Sequence, residues 1–260
     1  MNYINEQMAL EIIRSFPRVR PSLPDDYARV YEDEYKMNRK GLTFVSQLVA
    51  WLESWMHRQV SNTSMTGGKL LEIGGGTLNH VPYEPDCIYD VVEPFEALYR
   101  DSPSLNRISQ MYSYLTDLPV DNRYERIFSI AVLEHVDDLP FYFAKMGMLL
   151  ETNGVGQHAI PTEGGFLWGL GWRCTTAISY YLRNGLSYST LMRWEHINSA
   201  KEIELLARYF YSDVHVSRFP LSLFHLSFYS YLELRSPRLD RCINLVQSRS
   251  LSAQHIDPSN

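Results

Sequence analysis

Cysteine is scarce in this chain of 260 residues: only Cys87, Cys174 and Cys242 occur. They are far apart and odd in number, and no Cys-x-x-Cys is present, so neither a thiolate zinc site nor a disulfide framework is indicated. That usage fits a reducing cytoplasm, the expected location. No run of eighteen apolar residues exists, so no integral membrane segment is expected. The opening stretch MNYINEQMALEIIRSFPRVR carries acids early and has no long apolar core, unlike a signal peptide. Long Lys/Arg runs are also missing, and the net charge is −6. A nucleic-acid partner usually demands a basic face, so none is expected.

What is present is ordinary for a soluble globular protein: 45% hydrophobic and 21% charged residues, enough to build a normal core. The length suits one large domain or one domain with an appendage. Tyrosine is the commonest aromatic, which fits either a site walled by rings or a Tyr-rich core. Residues 4–15 and 41–60 read as helices; Phe44, Leu48, Leu52 and Met56 recur four apart as an apolar stripe. SNTSMTGG at 61–68 reads as a linker. Short apolar runs then alternate with helical segments. KLLEI (69–73), CIYDVVEP (87–94), a piece of NRISQMYSY, YERIFSIAV (124–132) and VGQHAI (155–160) are expected strands. LPFYFAKMGMLLETNG is an expected helix stopped by Asn153-Gly154. Alternation of this kind means a parallel sheet covered on both faces. SAKEIELLARYF (199–210) is an amphipathic helix, and the two runs after it lie too close in sequence for a parallel crossover, so they form an antiparallel pair. The stretch 162–197 is long for a connection and reads as a substrate lid, an extra helical layer, or both. SRSLSAQHIDPSN reads as a frayed end.

The most informative stretch is LLEIGGGT (70–77). Ligands of open α/β sheets bind at the carboxyl ends of the strands, where strand order reverses, and glycines there let a cofactor approach the main chain. Glu93 ends YDVVE about twenty residues later, placed to take ribose hydroxyls. A dinucleotide fold wants G-x-G-x-x-G/A. From Gly74 the pattern runs Gly74, Gly76 and then Asn79, so the fingerprint fails. A cofactor without a pyrophosphate has no need of that third glycine.

LLEIGGGT, VVEP and RIFSIAVLEHV resemble, in order and spacing, the first, second and fourth motifs of the class I S-adenosylmethionine (SAM)-dependent methyltransferases. The resemblance covers about residues 66–235. It implies an α/β fold: a Rossmann-like seven-stranded sheet in the order 3-2-1-4-5-7-6, last strand antiparallel, with helices on both faces. The expected division is an N-terminal helical cap over 1–65, a methyltransferase domain over 66–240 with the 162–197 insert, and a tail over 241–260. It further implies SAM as cofactor, with Glu72, Gly74, Gly75 and Gly76 under its methionine part, Glu93 on the ribose and Pro94 at the edge. Tyr114 and Leu115 would flank the adenine, although family members often carry Asp where Tyr114 stands. Ala131 would lie beside the sulfonium. IPTEGGFLWGLGW and MRWEHINSAKEIE are similar to a group of bacterial methyltransferases found with surface-polysaccharide and sugar-modifying genes. A small-molecule acceptor, most simply a sugar hydroxyl, is the implied partner, and a homodimer stays open.

Methyl transfer to a hydroxyl benefits from a general base. His135 after the fourth strand, His158 inside the fifth, Glu163 at its tip, and the pair Glu195–His196 after the insert are the candidates. All but Glu163 also have a plain structural reading: a backbone-bonded histidine for His135, a core histidine for His158, a helix-capping cluster for Glu195 and His196. No metal is expected. Ubiquinone-pathway O-methyltransferases share LEHV and can hold a divalent ion there with a further acid, but Ala131 occupies that acid's place. The Asp137-Asp138 pair is more simply a helix N-terminal cluster. Tyr31 and Tyr35, one turn apart, would cover SAM or the acceptor, and Arg39 would meet the SAM carboxylate, unless this segment only packs on the 41–60 helix. Two other functions fit: a nicotinamide oxidoreductase, disfavoured by the missing glycine, and a catalytically silent SAM-binding protein. DNA or RNA N-methylation lacks its Asn/Asp-Pro-Pro-Tyr/Phe signature after the fourth strand.

Overall fold

A computed structural model of the chain describes residues 3–30, 54–61 and 67–254. Seven strands form one sheet: β1 (Lys69–Ile73), β2 (Ile88–Val92), β3 (Gln110–Tyr112), β4 (Tyr124–Ile130), β5 (Leu150–Pro161), β6 (Tyr211–Pro220) and β7 (Ser227–Pro237). Their order is β3-β2-β1-β4-β5-β7-β6, as the family resemblance implies. All pairings are parallel except those of β7, which runs antiparallel to both β5 and β6. Strand order reverses between β1 and β4, so the carboxyl ends of β1, β2 and β4 open one crevice.

The strands are buried because both sheet faces are covered. Leu70 and Leu71 point to opposite faces, as the twofold repeat of a strand requires, and both are fully buried. Leu71 and Ile73 join a core with Phe143, Ile203, Leu206 and Phe210. Those residues come from helices α3 (Leu139–Leu149) and α7 (Ala200–Phe210), numbered after α1 (Tyr3–Arg14) and the one-turn α2 (Glu96–Tyr99). On the other face Leu70, Val91 and Phe128 pack with Met56 and Val60 of a helical stretch over 54–61. That stretch does the covering because residues 77–87 supply only a 3₁₀ turn, Val81–Tyr83. The start of α7 is sealed by a reciprocal cap: Ser199 accepts from the Glu202 amide and Glu202 accepts from the Ser199 amide.

Two sequence expectations change. The helix after the fourth strand stops at Leu149, and Leu150–Gly154 belongs to β5. Leu150 pairs with Tyr124 and the register then jumps to Val155 opposite Arg126. Gly154 sits in this bulge, where a Cβ would come within 3.0 Å of the Tyr124 carbonyl. Asn153-Gly154 therefore serves a β-irregularity, not a helix end. The segment 241–254, expected as a tail, lies in helix α8 (Leu239–Gln254). Cys242, Leu245 and Val246 dock on the α3 side of the core, with Cys242 fully buried. The insert 162–197 contains α4 (Phe166–Cys174), α5 (Thr176–Asn184) and α6 (Tyr188–Glu195). Gly171 of α4 lies flat against the Phe228 ring of β7, leaving 2.9 Å for a Cβ.

A buried polar cluster lies beside the second core. Arg126 of β4 is fully buried and pairs with buried Glu84. Glu84 also takes the His80 Nε2 proton at 2.7 Å, which leaves His80 Nδ1 to accept from His57 Nδ1 at 2.9 Å. The chain ties the 54–61 helix to β4. Among the described residues, no helix is long and apolar enough to cross a membrane.

Candidate functional site

Of the three glycines, Gly74 and Gly75 have no room for a side chain, and Gly74 and Gly76 hold a left-handed backbone. Gly74 has φ +75°, donates its amide to the Val92 carbonyl at 2.8 Å, and faces Val132, whose Cγ2 would lie 2.4 Å from a Cβ. Gly75 is as tight, with Val91 Cγ1 at 2.5 Å. Gly76, also left-handed at φ +50°, donates its amide to Glu93 Oε2 at 2.8 Å. The Phe95 amide donates to Glu93 Oε1 at 3.0 Å. Two amides thus fix the Glu93 carboxylate at the end of β2, yet each oxygen keeps a second lone pair.

A cavity of about 680 Å³ opens at these strand ends. Gly74, Glu93, Pro94, Tyr114, Ala131 and His135 line it, together with Val132, Tyr142, Trp194 and Glu195. Leu115 does not: its side chain is buried in the core, and the 3₁₀ turn it begins leaves only Tyr114 at the cavity. Ala131 holds φ +53°, a left-handed backbone that costs a non-glycine residue about 1–3 kcal/mol. Its amide is held by the Ala159 carbonyl at 2.8 Å. A smaller cavity of about 170 Å³ lies behind Gly74 and Ala131, lined by Glu72, His57, Asn79 and Met56. Burial pushes the Glu72 carboxyl up to about 8, against the opposing pull of the Tyr89 hydroxyl that donates to it at 2.6 Å. Burial thus disfavours the charged form of Glu72.

After β4 the chain makes a 3₁₀ turn, Leu133–His135. Asn198, fully buried, clamps it. Its Nδ2 donates to the Leu133 carbonyl at 2.8 Å and to the Val136 carbonyl at 2.7 Å, while the Ile197 and Asn198 amides both donate to the Glu134 carbonyl. Asn198→Ala leaves two carbonyls without partners, so a loss of roughly 2–4 kcal/mol of unfolding free energy is expected in urea melts. A loss below about 0.5 kcal/mol would show that the clamp does not hold the turn. The N-terminal segment adds a strap. Arg18 pairs with Glu202 at 2.5 Å, Arg20 with Asp137 at 2.6 Å and with the His135 carbonyl, and Trp194 Nε1 donates to the Pro21 carbonyl at 2.8 Å.

The clamp brings His135 against His196, ring centroids 4.8 Å apart and edge to face. His135 Nδ1 donates to the Glu195 carbonyl at 3.0 Å. His196 Nδ1 donates to Glu163 Oε2 at 2.8 Å. The partner that orients His196 is thus Glu163 at the tip of β5 and not the adjacent Glu195, which holds His135 instead. Burial and the neighbouring His196 hold His135 below its ordinary value. For His196 burial acts the same way, but the hydrogen bond to Glu163 and the surrounding carboxylates outweigh it and raise the value. Glu134, between them, is only 1% exposed, and burial pushes it up to about 7. Beyond His196 lies a third cavity of about 780 Å³ inside the insert, walled by Trp168, Trp172, Glu163, Arg173, Arg193 and Glu202. The two histidines stand between this cavity and the one at the strand ends.

His158 is not in this group. It is fully buried within the sheet, with Nδ1 2.9 Å from Ser129 Oγ, and burial alone pushes it down to about 3. Tyr31, Tyr35 and Arg39 lie outside the described residues. Asp138 caps α3 through the Phe141 amide and Asp137 meets Arg20, so that pair serves the helix start and the strap. Sequence reading missed Arg20, Tyr142, Trp194 and Asn198. No periodicity or spacing marks them: the partners of Arg20 and Trp194 lie more than a hundred residues away and those of Asn198 more than sixty, and Tyr142 joins the cavity only through the packing of its helix.

No protein-family model matches the chain, and no curated protein matches it. Solved structures do. The plantazolicin methyltransferase BpumL, in complex with a monoazolic desmethylPZN analog and SAH, superposes with a TM-score of 0.53 at 10% identity, over 88% of this chain and 99% of that one. An O-methyltransferase family protein from Burkholderia thailandensis gives 0.52 at 11%, over 90% and 69%. The N-methyltransferase NodS from Bradyrhizobium japonicum WM9, in complex with SAH, gives 0.50 at 11%, over 90% and 99%. At such identities the likeness is one of fold, and with the strand order β3-β2-β1-β4-β5-β7-β6 it gives this chain the Rossmann-like methyltransferase fold.

Proposed function

We propose that this chain is a SAM-dependent methyltransferase acting on a small-molecule acceptor, with a hydroxyl oxygen of a sugar or sugar-linked precursor of a surface polysaccharide as the methylated atom. The observation that carries the cofactor half is Glu93, pinned by two amides at the lip of the 680 Å³ cavity with two lone pairs still to offer. Other residues suit the same cofactor. Gly74 removes a Cβ where the ligand would pass, Glu72 offers an acid to an ammonium group, and Pro94, Phe95 and Tyr114 offer apolar and aromatic surface to an adenine. Bound SAM supplies a methyl group on a sulfonium, already activated for displacement. The chain's own work is to hold the acceptor in line with that methyl and to accept the hydroxyl's proton. His135 and His196, each oriented through Nδ1, stand where the cofactor and insert cavities meet. The paired tryptophans and the charged groups of the insert cavity suit a polyhydroxylated acceptor, which presents both C–H faces and hydroxyls.

A nicotinamide dinucleotide fits less well. Its pyrophosphate needs a helix N-terminus after β1, and residues 77–87 form no α-helix. Calorimetry with SAM and with NAD is the direct test, and saturable SAM binding without NAD binding is expected. Labelled SAM incubated with small-molecule and glycolipid-precursor extracts should then yield a labelled product. Binding without any transfer would leave a silent SAM-binding protein, and NAD binding in place of SAM would overturn the reading.

A further inference from the structure

We infer that Glu134, His135 and His196 form a binding site for one divalent transition-metal or zinc ion at the junction of the cofactor and insert cavities. One ligand atom from each residue lies within 4.8 Å of the others. In a tetrahedral site with metal–ligand distances of about 2.0–2.1 Å, neighbouring ligand atoms sit about 3.3 Å apart, so the group needs to contract by up to about 1.5 Å to close on an ion. The orientation of the rings is the second observation. Each Nδ1 is already committed as a donor, His135 to the Glu195 carbonyl and His196 to the Glu163 carboxylate. Each Nε2 is therefore the free ligand nitrogen. A carbonyl or carboxylate behind each imidazole is the outer-shell arrangement that metal-ligating histidines use. The third observation is Glu134. It is only 1% exposed, its Oε2 has no hydrogen-bond partner among the described residues, and its Oε1 lies 3.8 Å from His135 Nε2, too far for a hydrogen bond. A buried carboxylate oxygen without a donor is costly unless a cation meets it.

Two imidazoles and one carboxylate select zinc or a first-row ion such as cobalt(II) or iron(II) over magnesium or calcium, which take oxygen ligands. Three protein ligands leave positions open, and both cavities border them. The ion's role rests on the methyl-transfer reading. A hydroxyl bound to it becomes more acidic. The oxygen's electron pair forms the new C–O bond as the C–S bond breaks, sulfur keeps the pair of the broken bond and becomes a neutral thioether, and the hydroxyl's proton leaves to water, because imidazoles that ligate the ion through Nε2 give up the base role for the ligand role. No acid at Ala131 is needed, because His196 arrives from the end of the insert to complete the set.

The test starts with chelator-treated full-length protein. Zinc titrated by calorimetry should bind at one ion per chain, and cobalt(II) should show visible ligand-field bands of a nitrogen- and oxygen-ligated ion. Glu134→Gln and His196→Ala should each weaken zinc at least about 100-fold. Glu163→Gln, which only orients His196, should weaken it by about 10- to 100-fold. Melting curves without metal establish that each variant is folded, and the milder Glu163→Gln guards against a His196→Ala variant that is not. Absence of cobalt bands, or zinc affinity unchanged in Glu163→Gln and Glu134→Gln, overturns the site. Transfer from labelled SAM that survives full chelation overturns the role given to the ion. Metal binding in a chain that never binds SAM counts against the methyl-transfer reading and leaves the site standing.

Discussion

Glu93→Ala is expected to weaken SAM binding by about 10²- to 10⁴-fold. Hydrogen bonds to a charged acceptor contribute about 1.5–3 kcal/mol each, and the carboxylate has two to give to vicinal ribose hydroxyls. The same replacement releases the Gly76 and Phe95 amides that the carboxylate now accepts at 2.8 and 3.0 Å, so the glycine turn loses its anchor as well. Glu93→Gln separates the two effects. Its amide keeps one acceptor oxygen and turns an NH₂ toward one of those backbone donors, so an intermediate loss is expected. Calorimetry reads the affinity, and a melting curve checks that the variant is folded. SAM affinity within threefold of wild type in Glu93→Ala would remove the carboxylate from the site and, with it, the main support for the cofactor assignment.

The largest loss of stability is expected at Glu84. Glu84→Ala strands a fully buried Arg126 without its carboxylate and takes the acceptor from His80 Nε2. Removing one partner of a buried pair costs about 3–5 kcal/mol. In a chain of this size that lowers the melting temperature by roughly 6–20 °C. Replacing both partners together, Glu84→Leu with Arg126→Met, should recover most of the loss, because the uncompensated charge disappears. The pH dependence has a definite sign. Burial alone would raise the Glu84 carboxyl, but the His80 hydrogen bond and the Arg126 charge win and lower it below its ordinary 4.5. The stability it contributes is complete above that ordinary value and is lost as pH falls through the lower folded one. Wild type should therefore lose more stability on acidification than the Glu84→Leu, Arg126→Met double variant. Equal acid sensitivity of the two, or a Glu84→Ala loss under about 1 kcal/mol, would mean that Arg126 finds another partner.

Most of the sheet was legible in the chain itself, because parallel strands covered on both faces must be short, apolar and bounded by turn residues. KLLEI, YDVV and YERIFSI have that form, and β1, β2 and β4 follow them. The closing antiparallel pair was legible for a topological reason, since so short a connection permits nothing else. The glycine turn was legible because its residues are forced locally: Gly74 has no room for a Cβ and carries a left-handed φ. Boundaries were weaker where a residue type serves two devices. Asn153-Gly154 reads as a helix stop, yet the bulge opposite Tyr124 uses the glycine. Cys242, Leu245 and Val246 carry a helical spacing too sparse to stand out from a polar end, and only docking on the core makes α8 unmistakable.

By itself, then, the sequence determined the alternation of strands and helices, the position of the crevice and the acid at its rim, because each depends on neighbours a few residues apart; the full strand order was implied only by the family resemblance. Only the tertiary structure decided how the histidines are used. His158 and His135 are both candidates in the chain, the first less favoured because it lies inside a strand; sheet packing seals it, and the turn after β4 exposes His135. Glu163 and His196 are thirty-three residues apart and meet at 2.8 Å only because the insert folds back over the tip of β5. Arg20 and Asn198 act on the same turn from opposite ends of the chain. Such contacts leave no periodic trace, since the distance that matters is set by packing and not by the number of intervening residues.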